Sequence, residues 1–153
     1  MLETPHVIVG AAIATKVANP ALAIPLAFTS HFLLEKIPHW NPHLFTETKK
    51  FGKPTKASTV IVAIDAVLAL ASGFYIAQRV IPDYKHAFTI LLACLAAILP
   101  DLIEAPYFFL NLKAEVIKKW ILLQKSIQED TSVIPGLSTQ LATIIAAFWW
   151  ILG

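Results

Sequence analysis

Five long apolar segments, separated by short polar or proline-containing breaks, dominate the pattern of this chain. An apolar helix of about 20 residues is long enough to cross a bilayer. The pattern therefore predicts an all-α fold, a polytopic membrane bundle in one integral membrane domain over residues 1–153. We expect four or five transmembrane helices, and the sequence leaves open whether the first segment spans. The apolar segments lie at about residues 5–18, 20–38, 57–80, 86–110 and 134–152.

Prolines set most of the predicted boundaries. Thr4 is expected to cap the first helix, and Pro5 and Pro20 suit first helical positions, because proline lacks the backbone N–H that is unpaired there anyway. Pro38 is expected to end the second helix. Residues 40–56 are predicted to be a polar loop, and residues 135–136 to break the chain before a last helix at 137–152.

Residues 114–127 form an amphipathic segment. Its apolar residues Val116, Trp120, Leu123 and Ile127 follow helical spacing, and lysines lie between them. This pattern is typical of a helix that lies at the membrane surface. We therefore predict one interfacial helix in addition to the transmembrane helices.

Composition agrees with this class of protein. The chain is 57% hydrophobic and only 14% charged, whereas a soluble domain is nearer one quarter charged. Its net charge of +2 does not suggest a nucleic-acid partner, so membrane lipids are the expected partner and a homo-oligomer remains open. Lys36 and the loops at 40–56 and 111–133 hold nine of the twelve Lys and Arg residues (five plus four). The positive-inside rule places these loops in the cytoplasm and the chain in the inner or plasma membrane.

Polar residues recur at the end of the second apolar segment. His31, Glu35 and His39 are spaced by four residues, so on a helix they share one face. His6 lies at the start of the first segment, on the same predicted side of the membrane. Three polar residues in register within an apolar segment indicate a shared partner, and a metal ion is one candidate.

Three acids extend this group from the third and fourth segments. Asp65, Asp101 and Glu104 fall at similar predicted depths in the cytoplasmic half of the membrane. One unpaired acid near mid-membrane costs about 2.5–3.5 kcal/mol, so the acids need a common partner. A divalent metal would compensate several acids, and imidazoles suit zinc, with manganese or another first-row metal as alternatives. A lone Asp65 can equally hydrogen-bond Ser, Thr or backbone, and Glu104 can orient a ligand without binding metal.

The first 43 residues carry a resemblance to a known family. Thr4-Pro5-His6, the Gly-Ala-Ala run after it and the Ser-His…Pro-His-Trp stretch at 30–40 resemble the predicted membrane-bound metal-dependent hydrolases. These are small multi-pass proteins that are distantly similar to zinc-dependent phospholipase C. The resemblance implies the following metal ligands: His6, His31, Glu35 and His39, with Asp65 and Asp101 as additions.

The resulting hypothesis is metal-dependent hydrolysis of a lipid ester or phosphoester at the cytoplasmic leaflet. Either Glu35 or Glu104, whichever does not bind metal, is the expected general base. One alternative is an ion- or proton-coupled transporter or relay that uses the buried Asp and His residues. The other is a non-catalytic membrane scaffold with a structural metal.

Overall fold

The computed structural model describes all of residues 1–153, and its regular secondary structure is entirely helical, as predicted. Most predicted apolar segments coincide with a helix. The seven helices are α1 (Glu3–Lys16), α2 (Pro20–Leu34), α3 (Leu44–Phe51), α4 (Lys56–Gln78), α5 (Tyr84–Phe109), α6 (Glu115–Ile127) and α7 (Val133–Leu152).

Three helices, α4, α5 and α7, are long and apolar enough to cross a membrane, which is fewer than the four or five expected. The difference lies in α1 and α2, which have 14 and 15 residues. At 1.5 Å per residue they measure about 21 and 23 Å, less than a hydrocarbon core of about 30 Å. The second segment is shorter than predicted because its helix ends at Leu34, four residues before Pro38.

Helix α1 runs through the middle of the bundle and contacts α2, α4, α5 and α7. It is buried on most of its surface, which is why it shows no polar face in the sequence. Its contact with α5 relies on small residues. A Cβ added at Gly10 would lie 2.9 Å from both the carbonyl oxygen of Ala93 and the Cβ of Ala97. Glycine therefore allows the backbones of α1 and α5 to approach closely.

The predicted loop at 40–56 is wrong, because residues 44–51 form α3. This helix ends at Gly52, whose φ of 78° lies in the left-handed region that glycine adopts without strain. Its Glu47 carboxylate accepts hydrogen bonds from the backbone N–H of Thr55 and from the hydroxyl of Ser58. These bonds join α3 to the start of α4.

The predicted break at 135–136 is also wrong, because α7 begins at Val133 and continues through both residues. Pro135 lies in the first turn, where its missing N–H is not needed. Gly136 is buried, and a Cβ added there would collide with the backbone of His39 and Trp40. The glycine is therefore needed for close packing and does not end a helix.

Helix α6 confirms the predicted helix at 114–127, but it buries a different face. Ile121 and Gln124 are buried against the rest of the protein, whereas Val116 is 74% exposed and Leu123 is 49% exposed. The buried face contacts Tyr107 and Phe108 of α5. Packing against α5, and not the widest apolar stripe, sets the rotation of this helix.

We expect Gly10→Val to destabilise the bundle, because its side chain would overlap Ala93 and Ala97 on α5. Overpacking of this kind costs about 1–3 kcal/mol. Thermal unfolding of the purified protein in detergent measures the effect. Ala71→Val, at an exposed position of α4, is the matched control and should change the melting temperature little. Equal melting temperatures for the two variants would contradict this account of the α1–α5 contact.

Candidate metal centre

Three polar side chains converge at one end of the bundle. His6 comes from the start of α1, His31 from the end of α2, and Asp101 from the second half of α5. One ligand atom from each lies within 4.8 Å of the other two. Both histidines are fully buried, and Asp101 is partly buried. The structure thus brings together three of the residues that the sequence placed at one membrane depth.

The hydrogen bond of His6 identifies its free nitrogen. Its Nε2 lies 3.2 Å from Oε1 of Glu35, whereas its Nδ1 is buried and has no hydrogen-bond partner. When Nε2–H donates to the carboxylate, Nδ1 carries the lone pair. A carboxylate that orients a histidine in this way is the usual partner of a metal-binding imidazole.

Both ring nitrogens of His31 have polar neighbours, unlike those of His6. The Nδ1–H of His31 donates to the carbonyl oxygen of Ala97 of α5 at 2.8 Å. Its Nε2 lies 3.7 Å from Oδ1 of Asp101 and 2.9 Å from Oε1 of Gln124. The ring also stacks on His6 with a centroid distance of 4.2 Å. Both rings are therefore held in fixed orientations by groups of this chain.

Gln124 of α6 links the acids of α5. Its Nε2 donates to Asp101 Oδ1 at 3.2 Å and to Glu104 Oε1 at 2.7 Å. The sequence prediction missed this residue. The sequence did contain an indication of it, because this amide follows Ile121 by three residues and so lies on a helix face where an apolar residue is expected.

Glu35 lies between two histidines and outside the group of three. Its Oε1 faces His6, and its Oε2 lies 3.6 Å from Nε2 of His39. The amine of Met1 contacts the same carboxylate. Of these neighbours His6 alone is a histidine within hydrogen-bond distance, so Glu35 is placed to orient His6.

His39 is also outside the group, because α2 ends before it and the chain turns between the helix and His39. Its backbone bonds the strand-like segment after α6, through the carbonyl of Glu129 and the N–H of Thr131. Its Nδ1–H donates to the carbonyl of Ile37 at 2.7 Å. Burial lowers the pKa of His39, so its ring is neutral at pH 7.

Asp65 caps α1 and lies apart from the three-residue group. Its carboxylate accepts from the backbone N–H of Glu3 at 2.5 Å, and from the N–H and hydroxyl of Thr4 at 3.3 and 2.6 Å. These N–H groups belong to the first turn of a helix and have no partner within it. The expected cap at Thr4 is therefore wrong, because α1 begins at Glu3 and the cap comes from α4.

Glu3 is a further acid that the sequence prediction missed. Its Oε2 is buried without a hydrogen-bond partner, and its side chain lines the same cavity as Asp101 and Glu104. The signal was present, because Glu3 precedes His6 by three residues and so lies on the same face of α1.

The donor set fits a divalent metal. Two imidazoles and one carboxylate are the ligands of many catalytic zinc sites, which keep a fourth position for water or substrate. The unpartnered Nδ1 of His6 is the observation in this structure that favours a cation at this place. Ligands about 2.1 Å from a tetrahedral zinc lie about 3.4 Å apart, so the 4.8 Å group would contract on binding.

Asp101 of this group lines a cavity of about 600 Å³, whereas the fully buried His6 and His31 lie behind its lining. Its volume falls within the range of about 300–1,000 Å³ that is typical of small-molecule sites. One end is polar, and the remainder lies between apolar faces of α4 and α5. Lys125 lines the cavity together with the following acids: Glu3, Glu35, Asp65, Asp101, Glu104 and Asp130.

No protein-family model matches this chain, and no curated protein or solved structure is similar enough to count as a match. The resemblance of its first 43 residues to membrane-bound metal-dependent hydrolases therefore stays a prediction. Functional conclusions rest on the residues and geometry of the chain itself.

We expect one zinc ion per chain after the purified protein is stripped with a chelator and reloaded. His31→Ala should abolish stoichiometric binding, because it removes a ligand. Glu35→Gln should weaken the affinity by about 10–100-fold, because it removes only the group that orients His6. Elemental analysis and a zinc titration measure both effects.

His86→Ala is the matched control. His86 bonds the carbonyl of Ala14, near the opposite end of α1, so its loss should leave zinc binding unchanged. Equal metal content in the His31 and His86 variants would exclude the proposed ligand set.

Proposed function

We propose that this protein is a membrane-embedded, metal-dependent hydrolase that acts on a lipid ester or phosphoester. The observation that carries the proposal is the position of the group formed by His6, His31 and Asp101. It lies beside the acid-lined end of a cavity that continues between two apolar helices. This arrangement suits an amphiphilic substrate, whose polar bond lies at the acids while its apolar part stays between the helices.

The chain supplies the remaining functions of a hydrolytic site. His6, His31 and Asp101 would hold the metal, which when bound polarises the substrate oxygen and lowers the pKa of a water molecule. Glu35 and the carbonyl of Ala97 orient the two imidazoles. Zinc suits this donor set, and manganese is the alternative.

Glu104 is the proposed general base. Its side chain lines the cavity, and the amide of Gln124 holds its Oε1 at 2.7 Å. From there it would accept the proton of the attacking water. Glu35, the other candidate, contacts His6, His39 and Met1, which supports a positioning role for it.

We also propose that α1 and α2 enter the membrane as a short helical pair, which gives four or five membrane helices with α6 at the interface. The exposed Leu22, Leu26 and Leu33 on α2 support this placement, because they need an apolar environment. The lysine-rich α3 and α6 are proposed to face the cytoplasm.

Labelling with a membrane-impermeant maleimide tests this orientation in a Cys94→Ala background. We expect Thr46→Cys on α3 to react in inverted membrane vesicles and not in intact cells. Lys85→Cys, on the opposite side of the bundle, should show the reverse pattern. Reaction of the Thr46 variant in intact cells would contradict the cytoplasmic site.

Reconstituted protein with zinc should hydrolyse at least one class in a panel of phospholipids and acylglycerols. Glu104→Gln should lower the turnover number by about 10²–10⁴-fold while zinc stays bound, which is the contribution of a general base. His31→Ala should lose both zinc and activity, and His86→Ala should keep both. Product release by mass spectrometry is the measurement.

Full turnover by metal-free protein would refute the hydrolase proposal. Ion flux that depends on Asp101 without lipid turnover would favour the transporter. Stoichiometric zinc without lipid turnover or ion flux would favour the scaffold.

A further inference from the structure

We infer that the apolar part of the cavity is a groove for one hydrocarbon chain of an amphiphile. Its headgroup would lie at the acid-lined end beside His6, His31 and Asp101. The inference deepens the proposed function and rests on it only for the position of the headgroup.

Helix α4 presents one continuous face to this groove. From Asp65 the lining continues along the helix through Ala69, Gly73 and Phe74. Asp65, Ala69 and Gly73 are spaced by four residues and Phe74 follows directly, so the lining from Asp65 to Phe74 is about 14 Å long. A Cβ on Gly73 would lie 3.3 Å from Val7 and Cys94, so glycine allows α4 to pack closely against α1 and α5 at the base of the groove.

Helix α5 supplies the opposite wall. Its lining runs back from Asp101 through Ile98 and Leu95 to Leu91, a distance of about 15 Å along the helix axis. Val7 of α1 lines the cavity between the two walls. From the level of Asp65 and Asp101, the two walls therefore extend over similar lengths.

The rim of the groove faces outward. Leu70 and Phe74 of α4 are 60% and 61% exposed, and Leu95 of α5 is 49% exposed. Both helices are long and apolar enough to span a membrane, so this rim would contact lipid chains. A hydrocarbon chain can therefore reach the groove from the bilayer without crossing water, which favours a lipid over a water-soluble substrate.

The packing of the surrounding helices favours a single chain. Helices α4, α5 and α1 all contact one another, so the groove is the gap between neighbouring helices and not a wide vestibule. It follows that the groove selects by chain length. Affinity should rise with each methylene that gains packing contacts with the walls, until the chain end reaches the level of Leu91 and Phe74, and longer chains should gain little.

Photolabelling of metal-free protein in nanodiscs tests this inference without relying on activity. The probe is a monoacylglycerol with a diazirine at the end of its chain, and unlabelled monoacylglycerols of increasing chain length compete with it. We expect crosslinks near Phe74 and Leu91, and protection that rises with chain length to a plateau. Crosslinks spread equally over the outward face of α7 would overturn the inference.

Two substitutions at Leu91 are expected to shift the chain-length plateau in opposite directions. Leu91→Trp should shorten the groove and move the plateau to shorter chains, whereas Leu91→Ala should move it to longer chains. Phe88→Trp, at a 61% exposed position of α5 outside the cavity, is the control. Opposite shifts cannot arise from misfolding, and identical profiles for all three variants would refute the groove.

The two proposals fail in distinguishable ways. His31→Ala should abolish hydrolysis and keep the crosslinks near Leu91. Unlocalised crosslinks in a protein that still hydrolyses lipid would refute the groove and leave the hydrolase proposal standing.

Discussion

The buried first turn of α1 is the constraint on which the rest of the site depends. A helix that starts inside the bundle cannot satisfy its first N–H groups with water, and unpaired buried donors are costly. Asp65 accepts from two of these groups and from the hydroxyl of Thr4, so an acid of α4 fixes the depth and rotation of α1. His6, one turn later, is thereby placed against His31.

From that point each polar group positions the next. Glu35 holds one nitrogen of His6, and the carbonyl of Ala97 holds one nitrogen of His31. Gln124 bridges the two acids of α5. The network leaves Nδ1 of His6 without a partner, although the surrounding polar atoms are largely paired. Buried polar atoms are rarely unpaired, and those that are often have a functional reason.

Apolar length and four-residue spacing are local signals, so they predicted the all-helical fold class and drew attention to His6, His31 and Asp101, which meet in the structure. They did not predict the partners of these residues. His31 and Glu35 stay together, but α2 ends at Leu34, so His39 reaches Glu35 from a turn. Asp65 has the same sequence signal whether it caps a helix or binds a metal. Gln124 carries no charge, so it did not attract notice as a buried acid does.

Charge balance connects the proposed metal to the proposed substrate groove. Glu3, Asp101 and Glu104 line the cavity, and the amide of Gln124 bonds two of them. A divalent cation at His6, His31 and Asp101 would favour the ionised form of these carboxylates. Because the chain offers three ligands there, a fourth position would remain available for water or substrate. A structural zinc normally has four protein ligands, so this donor count favours catalysis over a scaffold role.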